Sequence, residues 1–254
     1  MYKILQAPYD GSSKVPGCRL GPSKIVDYAI ESGYGLEHSM VEFCTIVNQS
    51  ERISFCNIAH SFKKLYCVNK SKILTIGGNH IITYPILNTL GETEKNFSLI
   101  YFDAHSDTEN SIIPTNASFI SYFARENPAV QISNVGLRFK EHTLSPNVFA
   151  IASSAFYIQS IDSIVKELVV RHQNHPVYVS IDLDVLDPCY APGVSSPIGG
   201  GISTAQINEV LKGILQSLDV VSIDLTEYNP FKDKGNITLS STLSILWEIH
   251  KVWR

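Results

Sequence analysis

Asp103, His105 and Asp107 recur at every second position of Phe102-Asp103-Ala104-His105-Ser106-Asp107, directly after the apolar run 97–102 (FSLIYF). In an extended backbone, side chains two apart point to one side, so these three would face a common spot. Two carboxylates and an imidazole held together repel and desolvate one another unless a cation sits among them, and a divalent metal is the simplest occupant. A strand end with solvated acids is the plainer alternative. A second cluster decides between them: Asp182 and Asp184, again two apart, close the run VYVSIDLD. His80, in Gly77-Gly78-Asn79-His80, follows a third apolar run, where paired glycines permit a tight turn and close backbone approach.

The proposed ligand set is therefore His80, Asp103, His105, Asp107, Asp182 and Asp184. Six protein ligands exceed what one ion takes at an open catalytic site and suit two. Oxygen-rich ligands with some imidazole and no thiolate favour Mn²⁺ over Zn²⁺, with Zn²⁺, Co²⁺ and Fe²⁺ as alternatives. Two such ions roughly 3.5–4 Å apart would share a water and lower its pKa toward neutrality, giving a bridging hydroxide as nucleophile. Glu227, in Thr226-Glu227-Tyr228-Asn229-Pro230, also follows an apolar run and could hold a cationic substrate group by paired hydrogen bonds. Asp224 reads as a buried acid in the same run, and Asp187 as turn chemistry. There is no phosphate-binding glycine loop and no G-x-S-x-G nucleophile elbow. His38, His60, His142, His172, His175 and His250 are assigned no chemistry.

The elements that must position these residues alternate. Strands are expected at 2–7, 41–47, 71–76, 97–102, 130–137, 149–158, 177–183 and 220–225. Helices are expected from Ser23, from Ser54, and at 81–90, 117–126, 161–172, 204–218 and 239–252, where apolar residues recur at three- and four-residue steps. Such alternation implies an α/β fold with a mainly parallel sheet and helices on both faces. Ligands bind at the carboxyl ends of strands in such sheets, and every polar motif follows a strand.

The chain has 254 residues, 44% of them apolar, ample for a core, and it carries no linker, repeat or low-complexity tract; a single domain over 1–254 is expected. A net charge of −4 and a pI near 6.0, without a Lys/Arg cluster, argue against a nucleic-acid surface. The first residues lack the apolar core of a signal peptide, and no run approaches the roughly 18 apolar residues of a membrane span. Five cysteines without a C-x-x-C pair read as reduced thiols in a cytoplasmic protein.

With these residues assembled, the sequence resembles the ureohydrolase family of arginases, agmatinases and formiminoglutamases. GGNH is similar to the family's G-G-D-H, FDAHSD to its D-A-H-x-D, SIDLDVLDPCYAPG to its S-x-D-x-D-x-x-D-P-x-x-x-P-G, and TEYNP to its E-x-N-P. The resemblance spans about residues 71–230. It implies a three-layer α/β/α fold with about eight strands, two Mn²⁺ ions on the six residues already chosen, and hydrolysis of an amidine-type C–N bond. It also implies that Asp107 orients the bridging hydroxide and that the chain assembles as a trimer or hexamer.

The sequence departs from the pattern in places. Asn79 replaces an Asp. Asn116, in Pro114-Thr115-Asn116-Ala117-Ser118-Phe119, stands where arginases and agmatinases carry a His that serves substrate binding or proton transfer. Asn cannot shuttle a proton near neutral pH. The segment is closer to that of formiminoglutamases, although Ile120 occupies the place of their Arg. Arg138, in Gly136-Leu137-Arg138, could meet a substrate carboxylate or serve as a structural ion-pair partner. The expected function is a dinuclear manganese hydrolase of a small formimino or guanidino compound. Asp107 deprotonates the nucleophile, Glu227 pairs with the cationic nitrogens, and Asn116 and Arg138 contact substrate. The expectation leans to a formimino substrate releasing formamide, over a guanidino substrate releasing urea. A non-catalytic, metal-stabilised family member is the remaining alternative.

Overall fold

Apolar runs give the strands β1 (Tyr2–Ala7), β2 (Val41–Phe43), β3 (Lys72–Gly77), β4 (Ser98–Phe102), β5 (Gln131–Leu137), β6 (Val148–Ala152), β7 (Val177–Asp182) and β8 (Val220–Thr226). The computed structural model describes residues 2–11, 13, 15–47, 50–68, 71–94, 96–139 and 145–253. The eight strands form one sheet in the order β2-β1-β3-β8-β7-β4-β5-β6, and every pairing is parallel. The chain builds β1, β2 and β3, crosses to β4, β5 and β6, then returns to lay β7 and β8 in the gap. The four strands that end in polar motifs, β3, β8, β7 and β4, are therefore neighbours at the centre of the sheet, with their carboxyl ends along one edge.

Parallel strands need crossovers, and the helices supply them. They are α1 (Gly21–Glu31), α2 (Glu51–Lys63), α3 (Thr83–Thr93), α4 (Phe119–Glu126), α5 (Ala155–Ile158), α6 (Ile161–His172), α7 (Thr204–Ser217) and α8 (Ile237–Val252). Period-two alternation sends Leu99 and Tyr101 of β4 to one core, shared with Phe62 of α2, Leu90 of α3 and Phe123 of α4. Ile100 and Phe102 go to the other, shared with Ile25 of α1, Leu168 of α6, Leu211 of α7 and Leu246 of α8. Covering both faces makes the central strands almost continuously apolar, which is why they stand out in the sequence. The expected α/β/α architecture with about eight strands is the one observed. Among the described residues no helix is long and apolar enough to cross a membrane.

Some boundaries differ from expectation. The expected strand 149–158 stops at Ala152, and α5 follows; Ala155 and Phe156 are buried while Tyr157 and Ile158 are exposed, an in-in-out-out pattern that a strand cannot produce. β2 is only three residues long. The helix expected from Ser54 begins at Glu51, because Ser50 accepts the Ile53 N–H and caps it. The helix expected from Ser23 starts at Gly21, with Pro22 in its first turn, where no N–H is missed. The helix expected at 117–126 begins at Phe119, since residues before it form a turn in which Ser118 N–H donates to Thr115 O at 3.1 Å.

Candidate metal centre

The clustered carboxylates do not sit on a straight extension of their strands. Asp103 N–H still donates to Val135 O at 3.1 Å, continuing the sheet pattern. Its Oδ1 then accepts the His105 N–H at 2.7 Å, which bends the chain, and Asp107 follows with φ 50°. The same device recurs beyond β7, where Asp182 Oδ1 accepts the Asp184 N–H at 2.8 Å and starts the short 3-10 turn Leu183–Val185. Convergence thus comes from Asp side chains folding back on their own backbone, not from extended alternation. The two turns are locked together because Ala104 N–H donates to Asp184 Oδ1 at 3.0 Å.

The structure brings all six expected ligands into one cluster. His80 Nδ1 lies 3.0 Å from Asp103 Oδ2, 3.1 Å from Asp107 Oδ2 and 3.4 Å from Asp182 Oδ2. His105 Nδ1 lies 2.9 Å from Asp184 Oδ2 and 3.4 Å from Asp103 Oδ1. Two groups with metal-ligating spacing result, His80/Asp103/Asp107 and Asp103/His105/Asp184, and Asp103 belongs to both. Despite their proximity, His80 Nδ1 and Asp103 Oδ2 are buried without a well-angled hydrogen bond to each other or to another group. Orphaned buried polar atoms are costly, and a cation between them would satisfy both. The residues present fit a metal pair.

The electrostatics point the same way. Burial pushes the Asp107, Asp182 and Asp184 carboxyls up, reinforced by Asp103 beside Asp107 and Asp184 and by Asp184 beside Asp182. Asp103 is buried too, yet His105 and His80 hold it well below the usual carboxylate range. Burial alone would depress His105, but hydrogen bonds to Asp103 and Asp184 push it up to about 12. Four buried acids around two imidazoles form a set of groups that cannot all ionise, and divalent charge would relieve that conflict.

Behind His80 lies a buried support that the sequence only half revealed. His80 Nε2 is 2.9 Å from Ser180 Oγ, and Ser180 donates to Asp224 Oδ1 at 2.6 Å. With its proton committed to Asp224, Ser180 accepts from Nε2–H, leaving the Nδ1 lone pair for the cluster. Tyr178 and Thr83 donate to Asp224 Oδ2 at 2.6 and 2.7 Å. Ser180 stands two residues and Tyr178 four before Asp182, so period-two spacing could have found both; Thr83 carried no such signal.

A cavity of about 500 Å³ opens above the cluster. His80, His105, Asp107, Asp182, Asp184, Glu227 and Asn116 line it, with Glu109 and several hydroxyl side chains. Glu227 leaves β8 at φ 69°, its N–H donates to Gly78 O at 2.7 Å, and its Oε1 accepts the His80 N–H at 2.9 Å. Non-glycine residues in the left-handed region are strained, and of the three among the described residues two are Asp107 and Glu227. A side chain at Gly78 would meet Tyr9 O at 2.1 Å, so only glycine allows this approach. Asn116 Oδ1 accepts the Ile81 N–H at 3.0 Å, and Asn116 lines the cavity together with His80.

Arg138 is not brought to the cavity. Its Nη1 donates to Gly136 O at 2.7 Å, and its Nη2 lies 2.9, 2.5 and 3.0 Å from the carbonyls of Asp184, Val185 and Leu186. The guanidinium clamps the backbone that carries Asp184. Asp187 behaves as a turn residue, accepting from the Cys189, Gly200 and Gly201 N–H groups.

Comparison with known proteins fits this arrangement. The family model described as the arginase family matches residues 2–251. The chain belongs to the arginase family. Curated relatives of this arginase-family chain include the human mitochondrial guanidino acid hydrolase, 28% identical over 97% of this chain and 76% of that protein. Another is the agmatinase of Blochmanniella floridana, 32% identical over 92% of this chain and 82% of that protein. Solved structures share the fold. A hypothetical agmatinase from Burkholderia thailandensis superposes with a TM-score of 0.86 at 22% identity, covering 99% of this chain and 86% of the other. The formimidoylglutamase of Bacillus subtilis gives 0.86 at 22% identity, covering 98% and 85%. This arginase-family chain is an enzyme of the ureohydrolase type, with residues suited to a metal site at the carboxyl edge of its sheet.

Proposed function

We propose that the chain hydrolyses a linear guanidino compound, releasing urea, at a pair of Mn²⁺ ions held by His80, Asp103, His105, Asp107, Asp182 and Asp184. The observation that carries this reading is the sharing of one carboxylate, Asp103, between two groups of metal-ligating spacing. The donor set, oxygens and imidazoles without thiolate, favours Mn²⁺. When bound, the ions would supply Lewis-acid charge and lower the pKa of a water held between them.

The chain's own residues do the rest. Glu227 accepts paired hydrogen bonds from the cationic nitrogens and so fixes the amidine carbon over the cluster. Asp107, on the same wall, takes the proton of the attacking water and returns it to the departing amine. Asn116 offers an amide to the substrate but no group that titrates near neutral pH, which puts the proton traffic on Asp107. We assign Arg138 to holding the Asp184 segment and not to a substrate carboxylate, because its guanidinium is engaged with carbonyls.

A formimino substrate, giving formamide, is the second reading. Asn116 favours it, since proton transfer by a His at that place is unavailable. The guanidino reading is preferred because relatives similar over nearly the whole chain carry guanidino-hydrolase and agmatinase names. One continuous sheet supports a single domain, and cysteines free of disulfides support a cytoplasmic setting. The family resemblance supports a homotrimer or homohexamer. The test is a panel of agmatine, arginine, guanidinobutyrate and formiminoglutamate with Mn²⁺-loaded protein, scored for urea and formamide. Urea supports the first reading and formamide the second; silence across the panel favours a non-catalytic family member.

A further inference from the structure

Three segments distant in sequence meet at the Glu227 side chain. Cys18, fully buried, opens the 3-10 turn Cys18–Leu20 before α1. Its Sγ donates to Glu227 Oε2 at 3.5 Å and lies 3.3 Å from Ser195 Oγ. Ser195 and Glu227 both line the cavity above the cluster, and Cys18 Sγ stands between them as the shared contact. One residue, Asn229, ties the segments down: its Nδ2 donates to Pro16 O at 3.3 Å, and its N–H donates to Gly193 O at 2.8 Å. Asp10 Oδ2 completes the anchoring by accepting the N–H groups of Gly17 at 2.7 Å and Arg19 at 3.3 Å. Gly17 is required for this approach, since a Cβ there would lie 2.5 Å from Asn229 Oδ1.

We infer that Cys18, itself oriented by Ser195, is a positioning residue that latches the Glu227 carboxylate in the one conformer able to receive the cationic nitrogens of a substrate. The inference rests on the substrate-binding role of Glu227 proposed above. On one side, Oε1 is fixed by a strong backbone donor, the His80 N–H. On the other, a thiol is a weak donor; it restricts the direction of Oε2 while leaving its acceptor strength for the ligand.

The test compares Ser195→Ala, Cys18→Ala and the double variant with the conservative Ser195→Thr and Cys18→Ser, all Mn²⁺-loaded. The latch predicts that KM for the substrate identified in the panel rises about threefold to tenfold in Cys18→Ala and less in Ser195→Ala, with kcat changed much less, the size expected for one hydrogen bond. Ser195→Thr recovers most of the loss, and Cys18→Ser recovers part of that in Cys18→Ala. Metal content stays at the wild-type level. Crystal structures supply a readout independent of turnover, with Glu227 in one conformer in the wild type and displaced or multiple in the double variant. An unchanged Glu227 conformer and unchanged KM in the double variant overturn the latch. Glu227→Gln separates this from the reading beneath it: if that variant keeps its KM while the double variant moves the side chain, the role of Glu227 is at fault and the latch stands as a structural device.

Discussion

The backbone N–H of His80 donates to Glu227 Oε1 at 2.9 Å, so the imidazole that heads the metal cluster and the carboxylate that faces the cavity are set by one turn. The contact exists because β3 and β8 are adjacent and parallel, and because Gly78 lets the backbone pass close to Tyr9. Metal-side and substrate-side groups are thereby held at a fixed spacing.

Glu227→Gln is expected to lower kcat/KM by about 100-fold, the loss of paired charge-assisted hydrogen bonds. Metal content should not change, since the His80 N–H can still donate to the amide oxygen. Steady-state kinetics beside elemental analysis check both; a variant that loses its metal would place Glu227 in the cluster instead.

Asn116→His is expected to raise turnover of guanidino compounds, because it adds a proton carrier to the cavity wall. Rates for agmatine in the two proteins, across pH 6–9, measure this. Identical pH profiles and rates would remove Asn116 from the chemistry.

Asp224→Asn strikes the support behind His80. Three hydroxyls donate to Asp224, and an amide cannot accept from all of them as a carboxylate does. Metal affinity should fall about tenfold or more, the usual cost of losing an outer partner of a ligating His. Calorimetric titration of metal-free protein with Mn²⁺ reads this directly, and unchanged affinity would make the Ser180–Asp224 support purely structural.

His172 makes a pH prediction remote from the site. It is buried with Nε2 2.8 Å from Ser133 Oγ, and burial, helped by Arg171 and His175, lowers its pKa to about 4. The unfolded chain binds a proton there below the ordinary histidine value while the folded chain does not, so stability is present at neutral pH and is lost as pH falls from about 6.5 toward 4. Between pH 7 and 5 the loss is about 2 kcal/mol by linkage. Urea unfolding of the wild type and of His172→Gln at both pH values should show the smaller pH dependence in the variant.

The sheet was legible because its central strands are covered on both faces and read as unbroken apolar runs. β6 and α5 were not, since five apolar residues followed by one helical turn have the same apolar content as a longer strand. The six clustered residues stood out by type and spacing, but the reason offered for their convergence was incomplete. Extended alternation would not place Asp107, which the structure sets at φ 50° after a side-chain-made turn. Cys18 and Ser195 carried no signal at all. Cys18 meets Glu227 across 209 residues and Ser195 across 177, and nothing local to either sequence marks the contacts. Arg138 was legible as a charged residue beside a strand, but its carbonyl partners come from the backbone after β7, which side-chain patterns do not report.

The most direct test of the metal pair is anomalous X-ray diffraction from crystals loaded with Mn²⁺, collected either side of the manganese edge. Two anomalous peaks per chain are expected, one beside His80 and one beside His105, with the Asp103 carboxylate between them. A single peak, or peaks away from Asp103, would contradict that pair.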